Sequence, residues 1–130
     1  MSRNEVILFV DDEVNFLSAM RRILRREPYK AIFTSDPHEA LKIIEKDSVS
    51  VMLTDLRMPK MDGLTLVQKV KEKKPDVVCI IVTAYYEAES LQEAMDSGKV
   101  FCLIKKPWHS ATEVKDAIRK AIEHKRSRAI

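Results

Sequence analysis

Three consecutive acidic residues follow an apolar run near the start of the chain. The run from Val6 to Val10 ends directly at Asp11, Asp12 and Glu13. Two unit charges about 4 Å apart repel by roughly 4 kcal/mol at an effective dielectric near 20, so clustered carboxylates need a cation or bound protons. Oxygen ligands that stay open to water suit Mg²⁺ better than zinc or an enclosed calcium ion. This motif therefore predicts a divalent-cation site.

Other residues that could do chemistry stand at the ends of later apolar runs. They are Asp55, Thr83 and Lys106. A carboxylate can act as a nucleophile toward phosphorus when a metal and a cation neutralise the charge on the phosphoryl oxygens. Because Asp12 and Asp55 follow different runs, we assign both to the cation site. Glu13 is interpreted instead as a helix-capping acid, a role that any acid at a helix start can fill.

Hydrophobic periodicity shows which elements must bring these residues together. Short apolar runs alternate with segments in which apolar residues recur every three or four positions, as in amphipathic helices. Five runs are predicted as buried strands: Val6 to Val10, Ala31 to Phe33, Val49 to Leu53, Val77 to Val82 and Val100 to Ile104. Five helices are predicted from the recurring apolar residues: Val14 to Leu24, Ala40 to Ile44, Leu64 to Val70, Ala88 to Met95 and Val114 to Ile122. Turn residues at Asp36-Pro37, Asp62-Gly63 and Ser97-Gly98 agree with the start of the second, the start of the third and the end of the fourth.

The strict alternation of strands and helices predicts a parallel sheet with helices on both faces. In open sheets of this kind, ligands bind beyond the carboxyl ends of the strands. The chemistry-bearing residues all stand at such ends: Asp11, Asp12, Asp55, Thr83 and Lys106. We therefore expect three carboxylates, a hydroxyl and an ammonium to converge on one rim.

Length and composition limit the class of protein. The chain has 130 residues, of which 45% are hydrophobic, so it is long enough for one domain with a sizeable core. Cys79 and Cys102 lie far apart inside apolar segments, which indicates core residues rather than a disulfide framework or a zinc site. No signal sequence or apolar span is evident, so we expect a soluble, cytoplasmic protein with no membrane partner.

The basic excess is confined to the end of the chain. Residues 1 to 109 carry 17 basic and 17 acidic side chains, whereas residues 110 to 130 carry 6 and 3. The body therefore offers no broad basic face, and we predict no direct nucleic-acid binding. We assign residues 1–125 to a single domain and residues 126–130 to a basic tail or the start of a linker.

Four segments, each at a predicted strand end, carry a family resemblance. They are Phe9 to Glu13, Leu53 to Gly63, Val82-Thr83-Ala84 and Lys106-Pro107-Trp108. The chain resembles a response-regulator receiver domain, the phosphoacceptor module of two-component signalling. The resemblance implies a flavodoxin-like α/β fold, a doubly wound sheet of five parallel strands in the order 2-1-3-4-5. It also implies a phosphoacceptor, not an enzyme, that assists its own phosphorylation and dephosphorylation.

The resemblance implies a role for each acidic residue. Asp55 would accept a phosphoryl group from the phosphohistidine of a sensor histidine kinase or a histidine phosphotransfer protein. Mg²⁺ would be held by Asp12, Asp55 and the backbone carbonyl of Arg57, with Asp11 acting mainly through water. Gly63 is expected to supply a turn geometry that other residues resist in the loop after Asp55.

The resemblance also implies that the functional lysine stands immediately before proline, with a cis bond between them. This rule selects Lys106, and Lys105 should point away as a solvated charge because side chains alternate along a strand. The Thr83 hydroxyl is expected to contact the phosphoryl group. Trp108 is interpreted as an apolar plug and His109 as a surface residue.

One position departs from the family's usual pattern. Similar domains commonly carry Tyr or Phe three residues before the functional lysine, where this chain has Leu103, with Phe101 predicted on the same strand face. Leucine has no aromatic ring that could reorient. We therefore predict that helix four, entered at Ala84-Tyr85-Tyr86, carries the conformational response to phosphorylation. The affected surface would include helix four, strand five and the start of helix five. A homodimer through helix four, strand five and helix five is one candidate assembly.

Three other classes of protein fit these residues less well. A phosphohydrolase with an aspartyl nucleophile usually shows Asp-x-Asp and a cap domain, but Asp11 and Asp12 are adjacent and the chain is short. A flavin-mononucleotide module needs a phosphate loop without acids after its first strand. A phosphorylation-independent interaction module stays the alternative, although such modules have normally lost Asp55 or Lys106. The sequence does not indicate the output domain.

Overall fold

The computed structural model describes residues 5–107 and 110–128, in which strands and helices alternate as predicted. The strands are β1 (Val6–Val10), β2 (Lys30–Thr34), β3 (Val51–Thr54), β4 (Val78–Thr83) and β5 (Cys102–Lys105). The helices are α1 (Val14–Leu24), α2 (Pro37–Lys46), α3 (Gly63–Lys73), α4 (Glu89–Asp96) and α5 (Ala111–Arg128). The interpretations of Trp108 and His109 fall outside the described residues.

All five strands are parallel and lie in the order β2-β1-β3-β4-β5, which confirms the predicted topology. Val10 is the register partner of Thr54, and Thr54 is the partner of Ile81. Thr83 pairs with Lys105 at the ends of β4 and β5. This register brings the residues that follow β1, β3, β4 and β5 to one edge of the sheet.

The core has two layers, one on each face of the sheet. Along β1, Ile7 and Phe9 pack in the layer formed with α1 and α5. Leu8 and Val10 point to the opposite layer, formed with α2, α3 and α4. All four side chains are at most 1% exposed, and burial of such a side chain stabilises the fold by about 1.5–3 kcal/mol. Burial on both faces explains why the strands are continuous apolar runs.

The helix boundaries follow the turn residues seen in the sequence. Asp36 caps α2 by accepting a hydrogen bond from the His38 amide at 2.9 Å. Asp62 caps α3 in the same way, with the Thr65 amide at 2.8 Å. After α4, Gly98 adopts a φ of 83°, a conformation that favours glycine at a helix end. The three predicted boundaries are therefore confirmed.

The two cysteines are free thiols within or beside the core. Cys79 is buried and Cys102 is half-buried. Burial raises the pKa of the Cys79 thiol to about 12 and that of Cys102 to about 11. Because the thiolate is the reactive form, neither side chain suits nucleophilic chemistry at neutral pH.

Phe101 and Leu103 do not share a strand face, which corrects the prediction. Phe101 precedes β5 and packs against the α1–α5 layer, where its ring centroid lies 4.8 Å from that of His124. Leu103 packs against the opposite layer. Residues two apart point the same way only within a regular strand, and Phe101 lies just outside β5.

Helix α5 runs 18 residues and continues to Arg128. Residues 126–128 therefore form its last turn, and Arg126 makes an ion pair with Glu5 at 3.4 Å. Cations are favourable at this end of a helix because they face the negative end of its dipole. None of the helices in the described ranges is long and apolar enough to cross a membrane.

Candidate functional site

Three carboxylates meet at the carboxyl edge of the sheet, where the sequence places them. One carboxylate oxygen from each of Asp11, Asp12 and Asp55 lies within 4.8 Å of the others. Asp11 is 1% exposed and Asp55 is 8% exposed, whereas Asp12 is open to solvent. The pairing of β1 with β3 produces this cluster, because Val10 and Thr54 are register partners immediately before the acids.

Asp11 is the most buried acid of the cluster, and both of its oxygens are engaged. Oδ1 accepts a hydrogen bond from the Glu13 amide at 2.9 Å, and Oδ2 accepts one from the Lys106 ammonium at 2.7 Å. Burial raises the pKa of the Asp11 carboxyl, and these two donors oppose the rise without cancelling it. The site therefore holds a carboxylate whose charge is incompletely compensated.

Lys106 supplies positive charge at the centre of the cluster. Its ammonium lies 2.7 Å from Asp11 Oδ2, 3.0 Å from Glu13 Oε1 and 3.2 Å from Asp55 Oδ2. It also lies 4.1 Å from the centre of the Phe16 ring. Burial alone would lower the pKa of Lys106, but its hydrogen bonds and the surrounding carboxylate charges raise it above its usual range. The lysine is therefore a permanent cation at neutral pH.

Glu13 does not cap α1 with its side chain, which corrects the prediction for this residue. It occupies the N-cap position, but within the described residues its carboxylate makes no capping hydrogen bond. The carboxylate turns to the Lys106 ammonium instead. Both kinds of contact are charge-assisted, but the Lys106 ammonium carries a full opposite charge and is already held beside Asp11. The contact is solvated, since the side chain is 64% exposed.

The two adjacent lysines point in different directions, as predicted. Lys105 is exposed, and its ammonium lies 4.6 Å from the centre of the Tyr86 ring. The bond between Lys106 and Pro107 is cis, as the resemblance implied. Sequence reasoning missed the contact with Tyr86, for which the signal was the pair of tyrosines that begins two residues after the end of β4.

The Asp55 carboxylate is held in one orientation by two donors. Oδ1 accepts a hydrogen bond from the Leu56 amide at 2.7 Å, and Oδ2 accepts one from Lys106 at 3.2 Å. The Asp55 amide itself donates to the Val10 carbonyl at 3.1 Å, which extends the β1–β3 pairing by one residue. This acid is thus fixed at the strand end with its carboxylate at the rim.

Gly63 is required because the backbone at Asp55 approaches it closely, and not because of an unusual turn, which corrects the prediction. Within the described residues only Gly98 has a positive φ, so Gly63 adopts a backbone conformation open to other residues. A Cβ atom at Gly63 would lie 2.1 Å from the Asp55 carbonyl oxygen. The Gly63 amide donates to the Leu56 carbonyl at 2.7 Å, which holds α3 against the Asp55 loop.

Replacing Gly63 with alanine should therefore disturb the site as well as the fold. Because the added methyl meets backbone, the loop must shift, and we expect a loss of about 1–3 kcal/mol in the free energy of unfolding. Urea unfolding measures this loss, and the amide resonances of Asp55 and Leu56 report the shift. Gly98→Ala is the comparison for the resonances. Its φ of 83° makes alanine strained there, so this variant should also lose stability, but its Cβ meets open space and the Asp55 and Leu56 resonances should stay unchanged. Wild-type stability in Gly63→Ala would contradict the steric argument.

Thr83 closes the rim at the end of β4. Its side chain is fully buried, and its hydroxyl oxygen accepts a hydrogen bond from the Tyr85 amide at 3.1 Å. Accepting this bond does not use the hydroxyl's own proton. The Thr83 carbonyl accepts a bond from the Lys106 amide at 3.0 Å. The end of β4, which carries the hydroxyl, and the end of β5, which leads to the ammonium, are therefore directly hydrogen-bonded.

Arg57 borders the acidic cluster on its open side. It lines an open cavity of about 420 Å³ together with Asp12, Met58, Pro59 and Asp62. The resemblance assigned its backbone carbonyl to the metal, and the cavity places Arg57 beside Asp12, the exposed acid of the cluster. In the described part of the chain, the Lys106 ammonium contacts the carboxylates of Asp11, Glu13 and Asp55, and Asp12 adds a further carboxylate to the cluster. This donor set suits a hard divalent cation.

The chain is similar to known proteins over most of its length. The family model described as the response regulator receiver domain matches residues 7–122. The hydrogenase transcriptional regulatory protein HoxA of Bradyrhizobium diazoefficiens is 32% identical over 123 residues, which cover 95% of this chain and 25% of that protein. Sporulation initiation phosphotransferase F of Bacillus subtilis is 30% identical over 117 residues, which cover 90% of this chain and 93% of that protein.

The fold is shared with solved structures of the same kind. The response regulator protein TrrA of Thermotoga maritima, solved in complex with Mg²⁺-BeF, matches with a TM-score of 0.77 and 26% identity, covering 90% of this chain and 98% of that one. The chain spans only 25% of the length of the HoxA proteins that it matches. Since the family model covers the sheet and the acidic rim together, this chain belongs to the response regulator receiver domains.

Proposed function

We propose that Asp55 accepts a phosphoryl group from the phosphohistidine of a sensor histidine kinase or a histidine phosphotransfer protein, in a Mg²⁺-dependent reaction. The observation that carries this proposal is the fixed Asp55 carboxylate, 3.2 Å from the Lys106 ammonium and clustered with Asp11 and Asp12. Receiver domains are phosphoacceptor signalling modules rather than enzymes in the usual sense. The direct test is whether acetyl phosphate with Mg²⁺ phosphorylates the wild type and not Asp55→Asn.

The proposed transfer forms one bond and breaks one. An Asp55 carboxylate oxygen bonds to phosphorus while the phosphorus–nitrogen bond of the donor breaks, and the imidazole leaves with the electron pair. Lys106 already contacts Asp55, so its ammonium is placed to pair with a phosphoryl oxygen. The Thr83 hydroxyl, which can still donate its proton, is proposed to contact a second phosphoryl oxygen.

We assign the Mg²⁺ to Asp12, Asp55 and the backbone carbonyl of Arg57. Asp11 would act through water, because Glu13 and Lys106 already occupy both of its oxygens. When bound, the ion would neutralise charge on the phosphoryl oxygens during the transfer. The TrrA structure, which contains Mg²⁺-BeF, supports the choice of Mg²⁺ as the ion.

Millimolar Mg²⁺ is expected to raise the Tm of the wild type. Binding to the folded state alone stabilises it by about 1.4–2.7 kcal/mol when free ligand is 10 to 100 times the dissociation constant. Asp12→Asn should remove most of the shift, because it takes away the exposed charged ligand. Asp76→Asn is the matched control, since Asp76 is exposed and precedes β4 at the opposite edge. An equal shift in Asp12→Asn and the wild type would refute the ligand assignment.

We propose that α4 carries the response to phosphorylation. Leu103 provides no ring to move, and the Thr83 hydroxyl already accepts a bond from Tyr85 at the entry to α4. Movement of the hydroxyl toward a phosphoryl group would alter that hydrogen bond. The conformation of the segment that leads into α4 would then change. The candidate homodimer through α4, β5 and α5 would use the same surface.

Beryllofluoride, as a phosphoryl mimic, tests this route. With Mg²⁺ and beryllofluoride, amide chemical shifts and hydrogen exchange should change most, outside the site itself, from Thr83 to Met95. Hydrogen exchange also shows whether the segment opens more readily, because it reports local stability. If the largest distant changes fall on α1 or α2 while α4 stays silent, the proposed route is wrong.

The relatives suggest two settings for such a domain. HoxA is a transcriptional regulatory protein, and the matched region is a quarter of its length. Phosphotransferase F is matched over 93% of its length. We propose that residues 1–125 act as the receiver unit. Residues 126–130 would then begin a connection to an output domain or end a stand-alone receiver. Direct nucleic-acid binding is not assigned to this domain.

A further inference from the structure

Two neighbouring tyrosines stand exposed in the segment between β4 and α4. Tyr85 is 54% exposed and Tyr86 is 40% exposed. A cation from elsewhere in the chain covers each ring: the Arg57 guanidinium lies 4.5 Å from the centre of Tyr85, and the Lys105 ammonium lies 4.6 Å from the centre of Tyr86. The two stacks are chemically alike and adjacent, so they can be compared directly.

The two stacks differ in what they connect. Arg57 lies two residues after Asp55, in the loop between β3 and α3, and borders the open cavity with Asp12. Lys105 ends β5 and points away from the acidic cluster. Of these two described stacks, the one at Tyr85 therefore involves the loop that is proposed to supply the metal's backbone ligand.

Tyr85 has a second connection, through its backbone. Its amide donates to the Thr83 hydroxyl at 3.1 Å, and Thr83 is fully buried at the rim. One residue thus contacts the metal-side loop with its ring and the proposed phosphoryl-contacting hydroxyl with its amide. A single residue therefore connects these two contacts.

We infer that Tyr85 is a positioning residue for the cation site, and that it couples cation binding to the Thr83 hydroxyl. The ring holds Arg57, and with it the loop backbone, in the arrangement that binds the ion. This inference rests on the proposed Mg²⁺ site. Coupling between two sites is reciprocal, so an altered Thr83 contact must also alter cation affinity. An exposed cation–π stack corresponds to about a two- to fivefold effect on affinity.

The test is a Mg²⁺ titration followed by backbone amide resonances in four proteins. The dissociation constant is measured for the wild type, Tyr85→Leu, Tyr85→Phe and Tyr86→Leu. Tyr85→Leu should bind Mg²⁺ about two- to fivefold more weakly, because it loses the stack. Tyr85→Phe keeps an aromatic face and should bind as the wild type does. Tyr86→Leu loses the neighbouring stack, whose cation belongs to β5, and should also match the wild type.

A second readout separates positioning from a general structural role. At saturating Mg²⁺, the wild type should show shifts of the Thr83 and Tyr86 amides although neither residue is a proposed ligand. In Tyr85→Leu these shifts should shrink while the shifts at Asp55 persist. The Tm without Mg²⁺ should stay close to that of the wild type, because the Tyr85 side chain is largely exposed.

The outcomes distinguish this inference from the proposed site. If the wild type binds Mg²⁺ and Tyr85→Leu binds it equally tightly, the positioning role is overturned and the metal site stands. Equal weakening in Tyr85→Leu and Tyr86→Leu would also overturn it, because the effect would then belong to the segment as a whole. If the wild type shows no saturable binding, the metal assignment and this inference both fail.

Discussion

Replacing Asp55 with asparagine is expected to abolish phosphorylation of the domain. Incubation of the wild type with acetyl phosphate and Mg²⁺ should add one phosphoryl mass, which intact-protein mass spectrometry detects. The modification should be labile to base, as expected for an acyl phosphate. Asparagine is close in shape to aspartate but lacks the carboxylate nucleophile, so no acyl phosphate can form at this position. The expected effect is therefore complete loss rather than a reduced rate.

Asp76→Asn is the matched control for this experiment. It makes the same chemical change at an exposed aspartate near the amino edge of the sheet, and it should be phosphorylated as the wild type is. Modification of Asp55→Asn to the wild-type extent would refute the acceptor assignment. A wild type that takes no phosphoryl group from acetyl phosphate or from a phosphohistidine donor would favour the phosphorylation-independent interaction module.

Lys106→Met should destabilise the domain strongly when divalent cations are absent. The lysine side chain is 12% exposed and contacts two carboxylates whose side chains are 1% and 10% exposed, Asp11 and Asp55. Removing one partner of a buried ion pair leaves uncompensated charge and costs about 3–5 kcal/mol. Methionine retains most of the apolar stem, so the loss reports mainly the missing ammonium. Urea unfolding in the presence of a chelator measures it.

Magnesium should restore part of the stability lost in Lys106→Met. A divalent cation can replace the missing positive charge, so the stabilisation by Mg²⁺ should be larger in this variant than in the wild type. Phosphorylation of Asp55 should stay detectable, but the change at α4 should be weaker because Lys106 no longer pairs with the phosphoryl group.

Lys105→Met provides the control for charge and position. Lys105 is exposed and stacks on Tyr86, and such a contact is worth about 0.5–1 kcal/mol. The free energy of unfolding that Lys105→Met loses should be small and independent of Mg²⁺. If Lys106→Met and Lys105→Met lose the same stability both with a chelator and with Mg²⁺, Lys106 does not neutralise the acidic cluster.

The sequence was sufficient for the parts of the fold that depend on local patterns. Alternating apolar runs and amphipathic segments predicted the parallel sheet, and the rule that sites lie at strand ends predicted the convergence of Asp11, Asp12 and Asp55. These inferences succeed because periodicity and strand ends can be recognised within a few residues of the chain. The cis bond at Lys106 came from the family resemblance and not from the pattern.

The sequence was insufficient wherever a contact depends on the distance between remote segments. Glu13 turns to Lys106, which is 93 positions away, and its local environment indicates only a helix start. Gly63 is small because the Asp55 carbonyl approaches it, which no turn rule reveals. Phe101 was assigned to the wrong face because β5 begins at Cys102, directly after it, and not at Val100 as predicted. Each error concerns tertiary packing that overrides a local preference.

The contact between Lys106 and Asp11 links positions 95 residues apart, one directly after the first strand and one directly after the last. Contacts with such large sequence separation form late, since loop closure must occur before they contribute. During synthesis, an emerging chain would carry its three carboxylates long before their ammonium is added. A truncated or partly folded copy would therefore lack the complete proposed acceptor site, so phosphorylation at Asp55, if it occurs as proposed, would itself report that the whole domain has folded.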